Sequence, residues 1–274
     1  MEASAGLSLQ PDPSRYTLAR FVDDVAARHG ARPALRDDRG ASLSFEELRS
    51  RARAIARGLV GAGVARGERV GVLFPNSCDW VATTFGAAMA GAVVVPLNTF
   101  ATADELDYVL AHGDVATLLL QPALLSHRYL DDLLARHPDL EKAAPGAVRC
   151  AALPALRRVF ALGLDAAHGA AAPFDALLRA GDGVDDALLD ALVASIDPSD
   201  DGILIYTSGT TAKPKGVLHR QRAPVIQSWR FAEVMALGTG DRVLTAQPFF
   251  WTAGICMSRG ASLAKQGDNT SARQ

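Results

Sequence analysis

The chain has 274 residues, of which 49% are hydrophobic and 21% are charged, a composition that can form the core of a globular protein. The formal net charge of −2 excludes a general electrostatic attraction to nucleic acid or to an anionic membrane surface. Three cysteines without regular spacing argue against a disulfide framework or a structural zinc site. Since no signal peptide or transmembrane segment is recognisable, we expect a cytoplasmic protein.

Hydrophobic periodicity predicts alternating helices and strands along most of the chain. Helices with one apolar face are predicted over 16–29, 43–59, 79–90, 102–110, 124–136, 173–180, 185–195 and 224–236. Short apolar runs predict buried strands over 69–74, 92–97, 116–120, 158–162, 202–206 and 242–246. Because apolar strands alternate with helices, we predict an α/β fold with a parallel sheet covered by helices on both faces.

Two of the predicted helices begin with a capping box. Ser44 is followed three residues later by Glu47, and Thr102 is followed in the same way by Glu105. The helix that Ser44 opens is predicted to bury an apolar stripe and to turn its basic residues largely toward water. These basic residues are Arg49, Arg51, Arg53 and Arg57.

A stretch of small and polar residues directly follows the strand predicted at 202–206. Its ten residues, 207–216, read TSGTTAKPKG. Small residues let backbone N–H groups approach phosphate oxygens, and Lys213 and Lys215 add compact positive charge. These two are half of the four lysines in a chain with 28 basic residues, and Pro214 stiffens the loop between them. We predict that this loop binds the phosphates of a nucleotide, with Mg²⁺ as the bridging ion.

The loop is different from the Walker A motif GxxxxGK[ST]. Gly209 and Gly216 are too far apart for that motif, and neither GKS nor GKT follows. The alternative interpretation is a solvated surface turn that binds nothing. Ten specified positions after a buried strand favour phosphate binding over that alternative.

The loop resembles the TSGTTGxPKG signature of the AMP-forming adenylating enzymes, which include acyl-CoA synthetases, luciferases and peptide-synthetase adenylation domains. The match fails only at Ala212, where the family usually has glycine and where a methyl group restricts the backbone. Residues 43–48 are similar to an early helix start of the family, and residues 86–98 to its Val-Pro-Leu-Asn segment. The resemblance covers about residues 15–257.

This resemblance implies the N-terminal domain of the acyl-CoA synthetase fold, with layered parallel sheets and helices on both faces. It also implies that ATP and a carboxylic acid, fatty or other, give an acyl-adenylate, whose acyl group then passes to CoA. Thr211 would lie nearest the Mg²⁺ held through the phosphates. The implied phosphate-binding residues are Thr207, Ser208, Gly209, Thr210, Thr211, Lys213, Lys215 and Gly216.

Residues 248–254 are similar to the Pro-x-Phe-His-x-x-Gly segment of the family, which lines the acyl pocket. Trp251 stands where histidine is common. The resemblance therefore implies Phe250, Trp251 and Gly254 as residues that contact the acid. The alternative is that Phe249, Phe250 and Trp251 are aromatic residues of the core.

Three further family segments have no counterpart here: a Tyr-Gly-x-Thr-Glu segment, a Thr-Gly-Asp segment and a C-terminal lysine for adenylation. No catalytic residue is therefore identified. We expect a loose extension over 1–14, a partial AMP-binding domain over 15–257 and a disordered, out-of-register tail over 258–274. Such a truncated chain is expected to be inactive alone. Two alternatives stay open: a non-catalytic module that binds a nucleotide or acyl group, and one half of a split ligase with a complementary downstream chain.

Overall fold

The computed structural model describes residues 16–207, 213–238, 240–265 and 268–271. Its α-helices are α1 (Leu18–His29), α2 (Phe45–Gly61), α3 (Cys78–Met89), α4 (Ala103–His112), α5 (Tyr129–Arg136), α6 (Pro138–Lys142), α7 (Phe174–Ala180), α8 (Asp186–Ser195), α9 (Arg222–Val234) and α10 (Ala261–Lys265). Its strands are β1 (Pro33–Arg36), β2 (Ser42–Ser44), β3 (Arg69–Leu73), β4 (Val93–Pro96), β5 (Val115–Leu120), β6 (Arg158–Ala161), β7 (Ala171–Pro173), β8 (Asp201–Thr207), β9 (Lys215–Arg220), β10 (Arg242–Thr245) and β11 (Asp268–Ser271). A π-helix (Ala253–Gly260) precedes α10.

A seven-stranded sheet forms the centre of the molecule. Its strand order is β7-β6-β5-β3-β4-β8-β9, and neighbouring strands are parallel except for β8 and β9, which form an antiparallel hairpin. The α/β class with a largely parallel sheet is therefore confirmed. A smaller sheet has the order β10-β11-β1-β2, in which only β1 and β2 are antiparallel.

Each face of the large sheet has its own hydrophobic core. Val70, Val72 and Val94 point to one face, where they belong to one cluster with residues of α1, α2 and α3. Val93 and Val95 point to the other face, where their cluster includes residues of α4 and α5. Because side chains alternate along a strand, strands that are covered on both faces become continuously apolar, as predicted.

Both predicted capping boxes are present. The Ser44 hydroxyl accepts from the Glu47 backbone N–H and the Glu47 carboxylate accepts from the Ser44 backbone N–H, and Thr102 and Glu105 bond in the same way. The prediction that Arg53 faces water is wrong, since only 9% of this residue is exposed. Its guanidinium lies between carboxylates of α8 in the folded chain, and these ion pairs offset the cost of burying the charge.

The predicted disorder over 258–274 does not hold for the described part of that stretch. The π-helix continues to Gly260, α10 follows, and β11 pairs with β10 and β1. Ala261, Leu263 and Ala264 are buried in the same cluster as residues of α9, so a few small apolar residues are enough to dock α10. Pairing of β11 depends on backbone hydrogen bonds rather than on apolar side chains. The predicted extension over 1–14 lies outside the described residues.

Candidate nucleotide site

The predicted phosphate loop connects β8 to β9 at the carboxyl-terminal edge of the large sheet. Parallel pairing of Val94 with Ile203 brings the end of β4 to the same edge as the end of β8. Thr207 ends β8, while Lys213, Pro214 and the start of β9 form the returning side of the loop. Ser208, Gly209, Thr210, Thr211 and Ala212 lie outside the described residues.

The two ends of the loop are held together by the hairpin. Thr207 is opposite Lys215, and Tyr206 is opposite Gly216. A Cβ atom on Gly216 would lie 3.0 Å from Leu204 Cδ1 and 3.2 Å from Tyr206 Cζ, so glycine permits this close pairing. The sequence pattern predicted a strand before the loop and a helix after it, but it did not predict β9. This strand lies at the edge of the sheet and is largely exposed, so its hydrophobic signal is weak.

Both lysines of the loop are exposed. Within the described ranges neither one forms an ion pair with a carboxylate, so their charge is not neutralised by the protein there. Lys213 Nζ lies 4.8 Å from the centroid of the Tyr108 ring. The Tyr108 hydroxyl, in α4, donates a hydrogen bond of 3.2 Å to the Pro214 carbonyl oxygen. This arrangement places two exposed lysines on the returning side of the loop, across from Thr207 at the end of β8.

A cavity of about 150 Å³ opens beside the loop. Its wall includes Thr207 and Pro214 from the hairpin, the residues that follow β4, one face of α4, and the pair Phe250 and Trp251. Most of the side chains along α4 and after β4 are apolar, whereas the hairpin end is polar. The fold thus brings the predicted phosphate loop and the predicted acid-binding segment to one cavity, although Gly216 and Phe250 are 34 positions apart in sequence.

The aromatic segment after β10 is divided between the core and this cavity. Phe249 is 2% exposed and packs on the Trp80 ring at 5.5 Å, as the core alternative predicts. Phe250 is buried but lines the cavity, and Trp251 is 47% exposed at its wall. Gly254 is buried beneath the segment and does not line the cavity. A Cβ atom there would lie 2.0 Å from the Pro248 carbonyl oxygen, so the turn needs glycine.

Asn76 holds the aromatic segment in place, a role that the sequence did not predict. Its side-chain amide donates to the Gln247 carbonyl oxygen and accepts from the Phe249 backbone N–H, both at 2.8 Å. Asn76 is 8% exposed and lies just after β3, at the same edge of the sheet as the loop. An asparagine that directly follows the proline ending a strand is the only local signal in the sequence for this role.

The described residues contain no group of three or more His, Cys, Asp or Glu side chains that could hold a metal ion. Thr211, the residue predicted to lie nearest Mg²⁺, is outside the described residues. Across the same part of the chain, every helix is too short or too polar to traverse a lipid bilayer.

A family model described as AMP-binding enzyme matches residues 22–269, and the chain belongs to this family. The match runs past residue 257 and so includes part of the stretch predicted to be an out-of-register tail. The recognition of the adenylating-enzyme family from the loop and its flanking segments is thereby confirmed.

Curated relatives are about twice as long as this chain or longer. YngI of Bacillus subtilis (strain 168) is 31% identical over 254 residues, which cover 90% of this chain and 46% of that protein. Sulfoacetate–CoA ligase of Cupriavidus necator is 31% identical over 258 residues, covering 92% of this chain and 44% of that protein. The chain thus spans less than half the length of these relatives.

A solved structure of the anthranilate CoA ligase AuaEII in complex with anthranoyl-AMP superposes with a TM-score of 0.78 at 21% identity. The superposition covers 96% of this chain and 46% of that structure. The likeness confirms the fold.

Proposed function

We propose that the chain binds Mg·ATP through the loop at 207–216 and contributes this site to an AMP-forming acid:CoA ligase. In the complete reaction, the carboxylate of the acid attacks the α-phosphorus of ATP, and pyrophosphate leaves. The thiol of CoA then attacks the acyl carbon of the acyl-adenylate and releases AMP. Membership of the AMP-binding enzyme family and the names of the CoA-ligase relatives support this reaction class.

One observation carries the proposal: a single cavity has a hydroxyl-bearing end, at the two described ends of the phosphate loop, and an apolar, aromatic end. Thr207 and Pro214 bring the phosphate loop to one side, and Phe250 and Trp251 lie on the other. Triphosphate charge would be neutralised by the two exposed ammonium groups and by Mg²⁺ bound to the phosphates, with Thr211 nearest the ion. Backbone N–H groups of Ser208, Gly209, Thr210 and Gly216 would complete the cradle.

The apolar end of the cavity favours an acid with an apolar acyl group. Phe250, Trp251 and the apolar side chains of α4 offer surface for burial of hydrocarbon, and among the described residues that line the cavity none is a lysine or arginine that could pair with a second acidic group. Holding the carboxylate near the α-phosphorus would supply positioning, and the ammonium groups would stabilise the charge that develops on the departing pyrophosphate.

Two measurements on the same sample test the proposal: an ATP–pyrophosphate exchange assay and a direct measurement of Mg·ATP binding. The acid panel should include straight-chain, single-ring and sulfonated acids of similar size. Exchange that depends on an apolar acid would support acid activation by this chain. Binding without exchange would support the alternative of a non-catalytic module, and exchange restored by a downstream polypeptide would support a split ligase. Absence of Mg·ATP binding would contradict the proposal.

A further inference from the structure

Helix α4 contacts both sides of the hairpin that carries the phosphate loop. On the outgoing side, His112 Nδ1 and the Tyr206 hydroxyl share a hydrogen bond of 2.8 Å. On the returning side, the Tyr108 hydroxyl donates to the Pro214 carbonyl oxygen at 3.2 Å. Tyr108 and His112 are four residues apart on one helix face, and their rings stack with centroids 5.1 Å apart. Through these hydrogen bonds the two side chains connect both sides of the hairpin to α4.

Tyr108 makes a second contact, with the positively charged side chain of Lys213 in the loop. The Lys213 ammonium lies 4.8 Å from the centroid of the Tyr108 ring, within the range of a cation–π interaction. A free lysine side chain samples many rotamers, and ordering it opposes binding of a ligand. The ring and the bonded Pro214 carbonyl restrict both the side chain and the backbone of the loop beside this lysine.

We propose that Tyr108 is a positioning residue for nucleotide binding, which holds Lys213 and the returning side of the loop in place before the triphosphate arrives. It does not touch the nucleotide and acts through the Lys213 side chain and the Pro214 backbone. This inference rests on the proposed function, because it gives Lys213 a phosphate to bind. A structural role alone, in which Tyr108 only packs α4 on the sheet, would affect folding stability without any dependence on Lys213.

Two substitutions separate the contributions of Tyr108. Tyr108→Phe keeps the ring beside Lys213 and removes the hydrogen bond to Pro214, while Tyr108→Leu removes both contacts. Tyr129→Phe is the matched control, since Tyr129 lies in α5 and its hydroxyl also donates to a backbone carbonyl oxygen, that of Thr99 between β4 and α4, at 2.6 Å. We expect the Kd for Mg·ATP, measured by calorimetry on the 274-residue chain, to rise about 3-fold in Tyr108→Phe and about 10-fold in Tyr108→Leu. It should stay unchanged in Tyr129→Phe.

A double-mutant cycle with Lys213→Met gives the decisive result. When Lys213 is already absent, Tyr108→Leu should weaken binding by only about 3-fold, the share of the lost Pro214 hydrogen bond, because the rest of its effect passes through the missing ammonium. Equal losses in both backgrounds, or no loss in either Tyr108 variant while the unmodified chain binds Mg·ATP, would overturn the inference alone. If the unmodified chain binds no Mg·ATP, the proposed function fails and the inference fails with it. Should Tyr108→Leu unfold, the comparison of Tyr108→Phe with Tyr129→Phe decides the question.

Discussion

The region from α1 to α5 and the region from β9 onward bury their apolar residues to very different extents. In the first region, strands β3 to β5 are buried on both faces, and side chains such as Phe45 and Trp80 are fully enclosed. In the second region, several large apolar side chains are exposed. These are Val217, Leu218, Val234, Met235, Leu244 and Trp251. The first region therefore stabilises the fold, while the second contributes Lys215, Phe250 and Trp251 to the candidate site on less densely packed elements. We expect stability and nucleotide binding to respond to different substitutions.

We expect the largest difference in unfolding free energy between two leucine-to-alanine substitutions, one in each region. Leu48 is 0% exposed in α2, whereas Leu244 is 70% exposed in β10. We expect Leu48→Ala to lower the free energy of unfolding by about 2–5 kcal/mol through lost burial and a residual cavity. Leu244→Ala should change it by less than about 0.5 kcal/mol. Urea denaturation of both variants measures the difference, and similar losses would contradict the contrast between the regions.

Asn76 lies in the first region and holds the aromatic segment of the second. Asn76→Ala removes two hydrogen bonds, one of them to the backbone N–H of the buried Phe249, so we expect a loss of about 1–3 kcal/mol in unfolding free energy. Asn98→Ala is the matched control, since Asn98 is exposed and its side chain accepts a hydrogen bond from the nearby Phe100 backbone N–H. An effect of Asn76→Ala no larger than that of the control would show that Asn76 does not tie the regions together.

The two capping boxes offer a smaller and more selective test. Ser44→Ala and Thr102→Ala should each cost about 1 kcal/mol of stability, because each leaves backbone N–H groups of a helix start without an acceptor. Only Thr102 caps the helix that lines the cavity and supports the loop. Thr102→Ala should therefore also weaken Mg·ATP binding, whereas Ser44→Ala should not. Calorimetric titration of both variants checks this, and equal affinities would contradict it.

The smallest effect concerns alkaline pH. Burial raises the pKa of Tyr129 and of Tyr206 to about 12, above the usual value near 10. The folded chain thus keeps protons that the unfolded chain releases, so this stabilisation is complete below pH 10 and is lost as the pH rises from 10 toward 12. A spectrophotometric tyrosinate titration should show two late-titrating groups, and Tyr129→Phe and Tyr206→Phe should each remove one. Titration of both groups near pH 10 in the folded chain would contradict the burial argument.

Much of the fold could be predicted because its signals are local. A capping box lies within four residues, and the apolar runs of β3, β4 and β5 mark strands that are buried on both faces. The predicted helix over 124–136 begins only at Tyr129, and the residues before it form a turn with a bridge between Leu124 and His127. Element boundaries of this kind depend on packing that periodicity does not record.

The features that the sequence did not predict depend on distant partners. Arg53 is buried against Asp186 and Asp190, which lie 133 and 137 positions further along the chain. Asn76 bonds to residues 171 and 173 positions away, and Tyr108 reaches Pro214 across 106 positions. For the site, the ligand-binding roles of the loop residues and of Phe250, Trp251 and Gly254 remain predictions, although the fold places the described loop ends, Phe250 and Trp251 around one cavity.

Removal of the two loop lysines tests the central claim most directly. We would titrate Mg·ATP into the unmodified chain, the double variant Lys213→Ala/Lys215→Ala and the control Lys142→Ala, whose exposed lysine lies at the end of α6. Loss of two charge-assisted phosphate contacts should raise the Kd of the double variant at least about 100-fold, while the control matches the unmodified chain. Unchanged affinity in the double variant would contradict the assignment of the loop at 207–216 as the triphosphate site.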